Sequence, residues 1–101
     1  MIEIRRLNEL RERGGMRWAG EENGWIARPE EVVDALAEHG YHEYNRETAR
    51  TARGREPSGG VWQGLNTDNG SIASAIWVAR ARESDAIVFI AIDGEPLRGE
   101  Q

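Results

Sequence analysis

An α+β fold is predicted: a small single domain in which an antiparallel β-sheet, made from a hairpin plus a C-terminal meander, carries one or two packed helices. Three observations predict it. Segments 4–13 and 29–39 place apolar residues at helical spacing. Asn23-Gly24 and Asn69-Gly70 separate short apolar stretches in the way hairpin turns do. Ala86–Ile92 is an unbroken apolar run, rich in β-branched residues and ended by Asp93-Gly94 and Pro96, the pattern of a central strand. A chain of 101 residues fits one domain, and no internal repeat or dividing linker interrupts it.

Taken in order, the first segment sets Ile4, Leu7 and Leu10 near one face, with Arg5 and Glu9, then Glu9 and Arg13, at i, i+4. Gly14-Gly15 supplies its stop, since glycine takes the left-handed backbone that helix ends favour. Met16–Ala19 and Trp25–Ala27 then flank a turn over 20–24, giving a hairpin whose loop displays Glu21 and Glu22. Pro29 suits the first turn of a helix, where its missing donor is not needed, and Glu30 and Glu31 meet the positive end of the helix dipole. On that helix Val32, Val33, Leu36 and Ala37 are expected on one side, and Glu30, Glu31, Asp34 and Glu38 within a single sector of about 100° on the other. His39 and Gly40 close it.

From Asn45 to Gly60 the chain is polar, rich in Arg, Thr and Gly, and is expected as a long loop or a weakly held helix. Val61–Asn66 reads as a strand, Thr67–Gly70 as a turn, and Ser71–Ala79 as a strand with Ile72, Ile76 and Val78 on one face. Alanines at 73, 75, 79 and 81 supply the competing helical reading of that last segment. Leu, Ile, Val and Phe total only 19 residues. Four tryptophans, at 18, 25, 62 and 77, make up the deficit, each able to bury about 150–250 Å².

Composition narrows the chemistry. There is no cysteine, so neither a disulfide framework nor thiolate metal or redox chemistry is available. The charged residues Glu3, Arg5 and Arg6 come close behind Met1 and no run approaches about 18 apolar residues, so a soluble, cytoplasmic protein with no membrane segment is expected. All thirteen basic residues are arginine, as a GC-rich coding sequence would produce.

The acidity is local. Seven carboxylates lie between Glu21 and Glu43 against Arg28 alone, so this window carries −6 while the whole chain carries −5. Local charge implies a face, and the expected partner-binding residues are Glu21, Glu22, Glu30, Glu31, Asp34 and Glu38, with Trp18 and Trp25 as apolar anchors. The expected partner is a protein with a basic surface. By functional analogy alone, the chain reads as a small non-catalytic inhibitor or regulator, of the anti-defence, anti-CRISPR-like or immunity type that phages and other mobile elements employ. An ordinary solvated helix face shows the same charge pattern. Glu30, Asp34 and Glu38 repeat at about 6 Å, sparser than the phosphates of a DNA strand at about 3.4 Å.

Two alternatives belong to other classes. Arg46, Arg50, Arg53 and Arg55 could contact nucleic acid, although the net negative charge disfavours it. A small enzyme or ligand-binding domain could hold a pocket between sheet and helix. Chemistry of that kind lacks a signature: His39 and His42 stand beside Glu38 and Glu43 without a third histidine, and Ser58, Ser71 and Ser74 sit in no nucleophile elbow. Gly59-Gly60 and Gly64 match neither phosphate-binding nor dinucleotide spacing. No catalytic residue, metal or cofactor is therefore expected. The opposite signs of the acidic window and the arginine segment would also let two copies meet as a homodimer.

Overall fold

The computed structural model describes residues 4–50, 57–79 and 85–99. Helix α1 (Ile4–Gly14), strands β1 (Arg17–Trp18) and β2 (Trp25–Ala27), helix α2 (Pro29–Glu38) and strands β3 (Tyr41–Arg50), β4 (Pro57–Asn66), β5 (Ile72–Ala79), β6 (Ala86–Ile92) and β7 (Glu95–Pro96) follow one another. All strands join one antiparallel sheet in the order β1-β2-β6-β5-β4-β3, with β7 added beside β6. The expected α+β domain, with its first hairpin and C-terminal meander, is the observed one.

Local chemistry explains the element ends. Gly15 (φ 58°) ends α1, and Gly40 (φ 93°) ends α2 while its N–H donates to Ala37 O at 3.0 Å. The first hairpin turns at Gly24 (φ 63°), where a Cβ would lie 2.7 Å from Val88 O and about as close to the Phe89 ring, so only glycine fits.

Both helices cover one face of the sheet. That face presents Trp25, Ala27, Tyr41, Trp62, Ala73, Ala75, Trp77, Ala86, Val88, Ile90 and Ile92, all buried, and receives Leu10, Val32, Val33, Ala35 and Leu36 from the helices. Here α2 departs from expectation: Ala35 is buried and Ala37 exposed, because the helix is rolled toward its Val32–Ala35–Leu36 edge. Small residues leave room for the large rings. A Cβ at Gly60 would overlap the Trp77 ring on the neighbouring strand, and one at Gly64 would overlap the ring of Trp62. The indole N–H groups of Trp62 and Trp77 are buried without a hydrogen-bond partner.

The polar stretch expected as a loop is instead a pair of strands over most of its length. Residues 45–50 continue β3 and 57–60 begin β4, paired through Arg46↔Trp62, Glu47↔Val61 and Thr48↔Gly60. Strand β3 needs little apolar content because it is the outermost strand and its side chains from His42 to Ala49 are exposed. A register shift between Glu43 and Asn45 marks a bulge at Tyr44. Segment Ser71–Ala79 is a strand from Ile72 onward, as expected, so β-branched alternation outweighs the helical preference of its alanines.

Candidate functional site

The structure disperses the acidic cluster and pairs most of it. Glu30 receives two hydrogen bonds from the Arg46 guanidinium, both at 3.3 Å, and Glu43 meets Arg46 Nε at 2.9 Å. Glu31 lies 3.6 Å from Arg28, Glu38 pairs with Arg13, and Glu21 accepts from Arg98 at 2.6 Å. Among the described residues only Glu22 and Asp34 of the window lack an ion-pair partner. Glu30, Glu31, Asp34 and Glu38 lie on the helix layer, whereas Glu21 is drawn to the C-terminal segment at the sheet's edge. The single acidic docking surface expected from the sequence is thus not assembled. Its members are split between two regions, and Glu21, Glu30 and Glu38 are met by arginines distant in the chain.

Of the two expected anchors, Trp25 is corrected. Trp25 is 1% exposed, donates Nε1–H to Leu97 O at 2.8 Å and lies under Arg11, whose guanidinium carbon is 5.3 Å from the ring centroid. It holds the fold and cannot insert into a partner. Trp18 is half-buried against Trp25, with ring centroids 4.9 Å apart. Of the arginines proposed for nucleic acid, Arg46 is engaged by Glu30 and Glu43. Arg50 ends β3, and Arg53 and Arg55 lie outside the described residues. His39 Nε2 is 3.7 Å from Glu9 Oε2, while His42 lies opposite Leu65 at the edge of the sheet's other face, so the two histidines do not share a site. Tyr41 is buried beneath the sheet end, with its hydroxyl 3.3 Å from Ser71 Oγ.

That Tyr41–Ser71 contact leads to a polar chain the sequence did not reveal. Ser71 Oγ donates to Asp93 Oδ2 at 3.0 Å, and Ile72 N–H donates to Asp93 Oδ1 at 2.8 Å. The Ile72 amide first, and Ser71 second, hold the Asp93 carboxyl below its ordinary pKa. A carboxylate so stabilised is a poor base toward serine. The group acts as a clamp joining the start of β5 to the end of β6, with Asp93 itself at φ 52°.

What remains without a structural task is the sheet's second face. Ile76, Val78 and Phe89 are 50%, 57% and 43% exposed, and Leu65 and Ile72 are exposed beside them. Cross-strand pairing sorts this face into rows. One runs Arg17, Ile26, Ile87, Val78, Gly59, Ala49; the next runs Phe89, Ile76, Val61, Glu47. A polar row of Ser74, Gln63 and Asn45 follows, with Asn45 Nδ2 donating to Gln63 Oε1 at 3.0 Å, and then Ile72, Leu65 and His42. No formal charge stands on β4, β5 or β6 in these rows; Arg17 and Glu47 occupy opposite edges. No described helix covers this face.

Where β2 stops and β7 begins, the face continues into a cleft of about 240 Å³ lined by Trp18, Gly24, Ile76, Phe89 and Leu97 and rimmed by the Glu21–Arg98 pair. Contiguous apolar surface beyond a few hundred Å², bordered by polar groups, marks an interaction site in a folded protein. This arrangement can bind by burial. Among the described residues it brings no nucleophile, base and oxyanion donor together, and no group of three metal-ligating side chains.

Comparison with protein-family models, with curated proteins and with solved structures found no match for this chain.

Proposed function

We propose that this protein is a non-catalytic binding protein that acts by occupying another polypeptide through the uncovered face of its sheet, in the manner of an inhibitor or regulator. The observation that carries the reading is the patch of half-exposed Ile76, Val78 and Phe89 on two adjacent rows, continuous with an apolar cleft and free of charge across strands β4, β5 and β6. Burial of such a face supplies affinity at about 25 cal/mol per Å² before the costs of association are subtracted. The net charge of −5 contributes long-range steering toward basic partners rather than the contact itself. No helix among the described residues is long and apolar enough to cross a membrane.

The test is comparative capture from the native host, with immobilised wild type beside Phe89→Asp and beside a charge-reversed Glu31→Arg/Asp34→Arg variant. A polypeptide held by wild type and by the charge-reversed variant, and lost with Phe89→Asp, is the expected result. The opposite pattern would move the contact to α2 and end the sheet-face reading.

A further inference from the structure

We infer that a second copy of this chain seats on the uncovered face, the two sheets packing face to face about a twofold axis parallel to their strands; this rests on the docking role proposed above. Size is the first argument. The six strands of the path, from two residues in β1 to ten in β3 and β4, at about 3.3 Å per residue and about 4.8 Å apart, give roughly 600 Å² in projection before side-chain relief is added, approaching the about 800 Å² each partner contributes to a stable interface.

Pattern is the second argument, and it selects the axis. A twofold along the strands returns every row of the face to its own level on the opposite copy. With the axis between the two middle strands, β5 and β6, Phe89 then meets Ile76 of the other copy, and Ser74 meets Ala91 one row further along. Aligned sheets keep their strands within about 30° of each other, which preserves this correspondence near the axis. The same operation exchanges the outer strands, bringing Arg17 on β1 over the β3 edge that carries Glu47, one row away. Glu47 has no partner within the described chain, and Arg17 has only an exposed contact of 3.9 Å to Asp85. An in-plane axis perpendicular to the strands would instead leave β1 over β1 and β3 over β3, keeping Arg17 apart from Glu47, and would set the Val78 row against the row of Leu65 and His42. Charge complementarity and like-on-like rows therefore agree on one operator. The surface is self-complementary as an isologous contact requires.

Sedimentation equilibrium across the micromolar range tests this. Wild type is expected at twice the 11.3 kDa chain mass, and Ile76→Asp and Val78→Asp at the single-chain mass with unchanged far-ultraviolet circular dichroism. Arg17→Glu or Glu47→Arg alone should weaken association by about threefold, the scale of an exposed ion pair, and the double reversal should restore it. Because the chain contains no cysteine, Ile76→Cys near the axis should be joined to its own copy by a short bis-maleimide, whereas His42→Cys on the outermost strand should not. Persistence of the dimer in both aspartate variants, or equal crosslinking at 42 and 76, would overturn the assignment. A wild type that stays single would also overturn it, leaving the docking reading intact if Phe89→Asp still loses a captured polypeptide. An unchanged captured set would remove both.

Discussion

The two faces of this sheet are built from the same strands and are both apolar, yet they solve different problems. The helix-covered face combines Trp25, Trp62 and Trp77 with Ala73, Ala75, Ala86, Gly60 and Gly64, large rings lying over small neighbours. The uncovered face uses Ile26, Ile72, Ile76, Val78 and Ile87, all β-branched, together with Phe89. The first composition makes a jigsaw that helices can close upon. The second leaves half-exposed apolar side chains with no described helix over them. Hydrophobic content alone does not separate the covered face from the uncovered one; the placing of rings beside glycine and alanine does.

Mutations should expose this difference in graded form. The largest effect is expected from Trp62→Ala, which empties a fully buried site and should cost about 3–5 kcal/mol in urea unfolding, a large part of a small domain's stability. A rise in the unfolding midpoint, or no change, would break the claim that the ring–glycine arrangement is the core.

Gly60→Ala comes next. The added methyl would overlap the Trp77 ring and lie 2.7 Å from Glu47 O, so a loss of about 1–3 kcal/mol from overpacking is expected. The smallest effect belongs to the other face. Val78→Thr, measured at the lowest workable protein concentration so that association contributes nothing, should fall within about 0.5 kcal/mol of wild type. A large loss there would show that Val78 is covered within the single chain.

Much of the fold was legible in the chain because its signals are local. Pro29, Gly14-Gly15, Asn23-Gly24 and Asn69-Gly70 act on backbone torsions within a few residues, and α1, the first hairpin, α2 and the turn before β5 fall where they predict. Strand β3 was hidden because an outer strand owes its conformation to one neighbour, and Arg46, Glu47 and Thr48 show no apolar alternation of their own. The alternation of Ile72, Ile76 and Val78 was visible, but period two defines a pair of faces without saying which one the helices reach. Gly60 and Gly64 beside Trp62 were the available hint, since rings of that size need glycine neighbours to lie flat. The acidic window misled for a different reason. The neutralising partners Arg46 for Glu30 and Arg98 for Glu21 stand 16 and 77 residues away and meet their carboxylates only once the chain has folded.

The rims of the sheet carry one more implication. On one flank β1 offers only two residues; on the other, β3 is kinked at Tyr44 and carries Glu43, Arg46 and Glu47. Neither flank is a straight, neutral template for an incoming strand, so lateral growth into fibrils is discouraged. A molecule that is sticky on one broad side and guarded along both margins is expected to form finite complexes and to remain dispersed at concentrations where an unguarded sheet would aggregate.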